Sequence, residues 1–211
     1  MDRSREAGRH PVTTNGKISM LDVICSEINA SIAVKQRVLA DVTLLEKVAD
    51  LANDCLAALR GGGKVIFAGN GGSFADAQHL SGEFTSRFMF ERAPLASVAL
   101  GTNNSAISAI GNDYGYEQVF SRELQGIGGR DDVFIAISTS GNSVNIRTAV
   151  KMANDLGIKT VALTGSSGGR LKEMCECICV PSQETPRIQE CHILIGHILC
   201  GLVEAKFFNR S

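Results

Sequence analysis

Val65-Ile66-Phe67-Ala68 runs straight into Gly69-Asn70-Gly71-Gly72-Ser73, and Val133-Phe134-Ile135-Ala136-Ile137 runs straight into Ser138-Thr139-Ser140-Gly141-Asn142-Ser143. Each is an apolar strand feeding a loop of Gly, Ser, Thr and Asn, and an amphipathic helical pattern begins after each loop. A short loop of small residues lets backbone N–H groups and hydroxyls turn toward an anion, and the helix N-terminus behind it adds partial positive charge. No Lys follows either loop at nucleotide P-loop spacing, and neither loop matches the dinucleotide pattern G-x-G-x-x-G. A phosphorylated small molecule held by hydroxyls and amides is the ligand class that remains. Ordinary strand-to-helix turns would explain one such loop. Two hydroxyl-rich ones favour a site.

Working outward, strands are expected at Lys64–Ala68, Leu95–Leu100, Asp132–Ile137, Thr160–Leu163 and Glu176–Val180. Helices are expected near Ser73–Arg87, Ser105–Ile110, Glu117–Leu124, Ser143–Leu156, Arg170–Met174 and Arg187–Phe208. Alternation of this kind predicts an α/β fold, a three-layer sandwich around a five-stranded parallel sheet, with ligands beyond the carboxyl ends of the strands. Two further helices precede the sheet, Met20–Val38 and Asp41–Arg60. Asp41 is a candidate N-cap, and Gly61-Gly62-Gly63 suits a left-handed C-terminal stop. The first of these helices carries a stripe of Leu21, Ile24, Ile28 and Ile32 with little in the sequence to cover it, which points to packing between subunits.

The chain has 211 residues, enough for one domain with a full core. Its formal net charge of −1 gives no electrostatic case for nucleic acid or an acidic membrane surface. No apolar run is expected to reach the roughly 20 residues of a membrane span. The start, Met1 to Lys17, is polar and lacks the apolar stretch of a signal peptide. Residues 1–19 are therefore expected to be a disordered tail and 20–211 a single domain. Seven cysteines embedded in apolar patterns suit a reduced, cytoplasmic protein. Cys175, Cys177 and Cys179 fall on one strand face, where core packing is a better account than a soft metal.

Chemistry concentrates in two helices. His79 and Glu83 are four apart and share a face, beginning six residues after Ser73. In the last helix Gln189 and His197 are separated by about 80° of rotation, whereas His192 and His197 are about 140° apart and face different ways. The apolar neighbours of His197 predict that it is buried. A carboxylate and an imidazole beside a phosphate cradle are the parts needed to move a proton next to a sugar carbonyl. A divalent ion held by imidazole, carboxylate and amide oxygen would suit the enediolate oxygen. Serine-nucleophile chemistry lacks a Gly-x-Ser-x-Gly elbow.

Taken in order, Gly69-Asn70-Gly71-Gly72-Ser73, His79…Glu83, Gly111-Asn112-Asp113, Ile137 to Ser143 and Arg187-Ile188-Gln189-Glu190…His197 resemble the phosphoheptose isomerase family of sugar-isomerase (SIS) domain enzymes. The resemblance covers nearly all of Met20 to Phe208. It implies conversion of sedoheptulose 7-phosphate to D-glycero-D-manno-heptose 7-phosphate through an enediol, supplying heptose precursors. It implies a homotetramer with active sites at subunit interfaces. Ser73, Ser138, Thr139, Ser140 and Ser143 would hold the phosphate, and Asn70, Gly71, Gly72, Asn112 and Asp113 would line the sugar. Glu83 and His197 fall on the family's acid/base pair. With His79 and Gln189 they also fall on its zinc ligands, the two helices expected to come from different subunits or to meet at an interface. Asn103 stands where relatives are expected to carry Asp, and the polar start matches nothing in the family. Non-catalytic SIS tetramers that bind the bacterial replication initiator share both loops but lack the catalytic glutamate and histidine, and both residues are present here. Sugar-phosphate sensors fused to a DNA-binding domain are longer than this chain.

Overall fold

The computed structural model describes residues 18–210. Five parallel strands form one sheet in the order β2-β1-β3-β4-β5: β1 (Val65–Gly69), β2 (Ser97–Ala99), β3 (Val133–Ile137), β4 (Lys159–Thr164) and β5 (Glu176–Cys179). β1 and β3 are buried along their whole length, as strands covered on both faces must be. Two helices, α1 (Met20–Ala40) and α2 (Val42–Arg60), precede the sheet; α3 (Gly72–Thr85), α4 (Asn104–Tyr114), α5 (Val119–Ile127), α6 (Val144–Leu156) and α7 (Thr185–Phe207) follow in turn. The three-layer α/β sandwich is as expected.

Alternation along the strands divides the core in two. Val65, Phe67, Val133, Ile135 and Leu163 pack against α1, α2, α3 and α7. Ile66, Ala68, Phe134, Ala136 and Ala162 pack against α5 and α6 on the other face. The chain therefore leaves β1 toward one face and β3 toward the other. With this strand order the switch point lies between β1 and β3, and both hydroxyl loops flank it.

Helix boundaries follow local chemistry. Ser19, which the expected tail over 1–19 had included, is the N-cap of α1 and forms a capping box with Asp22; the tail itself, up to residue 17, lies outside the described residues. Asp41 caps α2 through Leu44 N–H at 3.0 Å. Gly62 takes the left-handed turn at φ +86°, and Gly63 N–H returns to Ala58 C=O at 2.9 Å. The expected helix at 117–124 opens instead as a 3₁₀ turn over Tyr116–Gln118 before α5.

Three features depart from expectation or sharpen it. α7 is long and apolar enough, by length and mean hydropathy, to cross a membrane. In the fold it is a core helix packed on α2 and α3, with Arg187, His192 and Glu204 buried along it. Leu21, Ile24, Ile28 and Ile32 of α1 stay exposed, and only Val34 and Val38 of that helix are buried. All seven cysteines are free. Cys175, Cys177 and Cys179 lie at β5 against the second core; the hydrogen bond that Cys177 donates to its neighbour Cys175 pushes the Cys177 thiol up to about 11.

Candidate active site

α3 and α7 run side by side on one face of the sheet, both starting at the carboxyl ends of the strands. They meet closely because residue 196 has no side chain: a Cβ there would sit 2.5 Å from both terminal methyls of Leu80. The approach brings His197 Nε2 to 2.8 Å from His79 Nε2. One turn along α3, Glu83 places a carboxylate oxygen 3.3 Å from the same His79 nitrogen. The nitrogen and oxygen donors of His79, Glu83 and His197 all lie within 4.8 Å of one another, the one such His/Cys/Asp/Glu group among the described residues. Within one chain α3 and α7 already bring these three donors together.

His197 is half-buried rather than buried. It faces His79, a polar neighbour on α3, and its ring stacks on Phe88 with centroids 5.4 Å apart. The fully buried histidine is His192, whose Nε2 donates to Thr164 C=O at 3.2 Å. Burial holds its pKa down to about 4, the carbonyl contact opposing.

Two Nε2 atoms 2.8 Å apart are satisfied by one shared proton or by a cation that both lone pairs face. The carboxylate beside them and the orphaned buried oxygen of Asp76, one turn earlier on α3, add negative potential. Burial raises the Asp76 carboxyl, with His79 and His197 opposing. Two imidazoles and a carboxylate are a donor set suited to zinc. Gln189, the expected fourth ligand, rests its amide on Gly72 at the start of α3 and makes no hydrogen bond to the other three among the described residues.

The two loops are joined side chain to side chain. Asn70 and Asn145 exchange amide hydrogen bonds at 2.9 and 2.8 Å, tying the end of β1 to the start of α6. Ser138 and Ser143 hydroxyls lie 3.1 Å apart. Ser143 is the N-cap residue of α6 yet makes no side-chain cap, so this helix end is left for another acceptor. Gly141 sits at φ +64° with Gly168 C=O where a Cβ would be, which holds the loop in its tight curve. Ser73 is buried at the first turn of α3 and Ser140 accepts from Asn142 N–H. Thr139 C=O takes Gly165 N–H.

Asn112 and Asp113 stand apart. They are exposed in the last turn of α4, and among the described residues their side chains bond only to each other, at 2.8 Å. Asn103, the departure noted in the sequence, caps α4 through Ala106 N–H, a task Asn performs as well as Asp. Sequence reasoning missed Asn145, although it lies two residues beyond the second loop, and it missed Asp76, which shares the face of His79. It also missed Phe88, Arg92 and Glu204, for which no local pattern exists.

A five-stranded parallel sheet with hydroxyl loops at its switch point is the SIS-domain arrangement, and the SIS domain family model matches residues 29–165. The chain is 54% identical over 193 residues to the phosphoheptose isomerase of Aneurinibacillus thermoaerophilus, covering 91% of this chain and 98% of that one. The solved phosphoheptose isomerase of Francisella tularensis superposes with a TM-score of 0.85 at 39% identity, covering 89% of this chain and 99% of that one. That of Neisseria gonorrhoeae gives 0.83 at 39% identity, over 89% and 100%. The chain belongs to the phosphoheptose isomerase family of SIS-domain proteins.

Proposed function

We propose that the protein interconverts sedoheptulose 7-phosphate and D-glycero-D-manno-heptose 7-phosphate through an enediol, for heptose precursor biosynthesis. The cluster of His79, Glu83 and His197 carries this reading. It begins six residues, about 9 Å of helix rise, from Ser73 in the first loop, a span on the scale of an extended sugar phosphate. The loop hydroxyls of Ser73, Ser138, Thr139, Ser140 and Ser143 hold the phosphate. Asn70, held by Asn145, lines the sugar with Gly71 and Gly72; Asn112 and Asp113, assigned there by the family resemblance, stand apart on α4 within one chain.

Glu83 takes the carbon-bound proton on its carboxylate and returns it to the neighbouring carbon. His197 moves the proton between the two oxygens through a ring nitrogen that is free of the ion. His79, Glu83, Gln189 and His197 are the residues that would hold a zinc ion. When bound, the ion supplies Lewis-acid stabilisation of the enediol oxygen. The exposed Leu21, Ile24, Ile28 and Ile32 stripe of α1 supports a homotetramer, and seven free thiols support a cytoplasmic location. The replication-initiator partner is not favoured, because the two residues that non-catalytic relatives lack stand here within reach of each other.

Glu83→Gln keeps the side-chain shape and removes the base. Incubated with sedoheptulose 7-phosphate, this variant is expected to lose roughly two to four orders of magnitude in kcat with its fold intact. A wild-type rate would refute the mechanism.

A further inference from the structure

The segment between α3 and β2 carries an ion pair with almost no access to water: the side chains of Arg92 and Glu204 are 2% and 1% exposed. Arg92 Nε donates to Glu204 at 2.8 Å. Its two terminal nitrogens donate to the carbonyls of Glu83 at 2.7 Å, Phe84 at 2.7 Å and Ser86 at 3.0 Å. Those are carbonyls that the end of a helix leaves without partners, so Arg92 caps the turn of α3 on which Glu83 sits. Glu204, on α7, also accepts the backbone N–H of Phe88 at 2.8 Å and of Met89 at 2.7 Å. The Phe88 ring lies along α7 beside Gly201 and stacks on His197, one turn back, with the planes 25° apart.

We propose that Phe88, Arg92 and Glu204 are a positioning unit for the catalytic pair, Arg92 fixing the backbone of Glu83 and Phe88 fixing the ring plane of His197, with Glu204 anchoring both. None of the three faces the substrate loops. The unit acts through the orientation of groups that already exist, so its loss falls on turnover and leaves phosphate binding in place. The inference rests on Glu83 and His197 being the catalytic pair.

Three variants of the full-length protein test it: Phe88→Leu, Phe88→Tyr and Glu204→Gln. The imidazole C–H proton resonances of His197 are identified by their absence in His197→Gln and are read beside kcat and KM. With Phe88 in place the ring current displaces them upfield. Phe88→Leu is expected to return them to ordinary imidazole positions and to lower kcat about 10- to 100-fold, with KM held within about twofold. Phe88→Tyr keeps the stacked ring and is expected to restore both readouts. Glu204→Gln is expected to move the same resonances without touching the ring itself; should it not fold, Phe88→Leu, on a half-buried loop position, still decides. A wild-type kcat in Phe88→Leu, or a lost kcat with unmoved His197 resonances, overturns the proposal. A wild-type kcat in His197→Gln refutes the catalytic assignment instead, while the resonances still report whether Phe88 orients the ring.

Discussion

Gly196→Ala is the smallest change that tests whether helix spacing builds the site. The added methyl carbon would lie 2.5 Å from Leu80 Cδ1 and Cδ2 and 3.1 Å from Cγ. Carbon atoms rest at about 3.5–4.0 Å, so the shortfall is about 1 Å. Leu80 is 1% exposed and packed into the core, so its methyls turn only by displacing neighbours, and the collision is expected to part α3 and α7. His79 and His197 are the chain neighbours of Leu80 and Gly196, and their 2.8 Å contact opens by a similar amount. Overpacking of this kind costs about 1–3 kcal/mol, offset by about 1 kcal/mol because Ala is the better helix former. Net destabilisation is therefore modest, about 0–2 kcal/mol, while displacement of a reacting group by 1 Å lowers kcat on the order of 100-fold. Thermal melting and turnover of sedoheptulose 7-phosphate are measured together. Adding Leu80→Ala removes the colliding methyls; alone it costs about 2–5 kcal/mol, and with Gly196→Ala the sum falls short by about 1–3 kcal/mol as activity returns. A Gly196→Ala protein that melts lower yet keeps wild-type kcat would show that helix spacing does not set the site.

Thr139→Val with Ser140→Ala should raise KM strongly, because an uncharged loop at a helix N-terminus binds phosphate through its hydroxyls and amides; an unchanged KM counts against the loop assignment. Chelator treatment should reduce activity and zinc should restore it, a neutral amide among the donors making the ion easy to lose; full activity after chelation removes the metal from the scheme. His192 is neutral when folded, with its pKa held at about 4 against 6.5 for the free side chain. Above pH 6.5 it contributes nothing to pH dependence; as pH falls below 6.5 the unfolded chain takes up the proton and the native one does not, costing about 2 kcal/mol by pH 5. His192→Gln should flatten the urea-unfolding free energy between pH 7.5 and 5 by about that amount, and an unchanged slope refutes the assignment.

The sequence made the layers legible because each central strand is a continuous apolar run. β1, β3 and β4 fall within one residue of their expected ends. β2 was overread: six residues, Leu95–Leu100, have strand character, but only Ser97–Ala99 pair, opposite Val65–Phe67 at the edge of the sheet. Leu95 N–H turns instead to Phe84 C=O at 3.0 Å. Within a helix, spacing was enough, and the His79–Glu83 face and the opposed directions of His192 and His197 both followed from 100° per residue. Burial of His197 did not follow, because an apolar helix buries only the sides its neighbours cover, and the α3 side presents His79. Contacts across long separations had no local signature. Arg92 and Glu204 are 112 residues apart and Asn70 and Asn145 are 75 apart; isolated charges and amides look like solvated surface until the fold closes them off.

One geometric relation accounts for most of the site. α3 and α7 are parallel, and the contacts along them descend in a single register: Gln189 on Gly72, Gly196 on Leu80, His197 on His79, and, in the segment just after α3, Glu204 on Phe88. Each partner is 116 to 118 positions from the other, so a slip of one turn would break all four contacts at once. The pairing is set from both ends, by the loop glycines at the carboxyl edge and by the buried Arg92–Glu204 pair at the opposite edge. The cluster of His79, Glu83 and His197 lies between these anchors, where neither end can fray toward it. That placement explains why a helix as apolar as α7 carries a buried Glu204: the carboxylate fixes where the helix sits along α3, a specification that interchangeable Leu and Ile contacts do not provide. It also separates the two duties that the proposed function assigns, phosphate binding at the switch point of the sheet and proton transfer about two turns down the helix pair, so that changes in one should leave the other measurable.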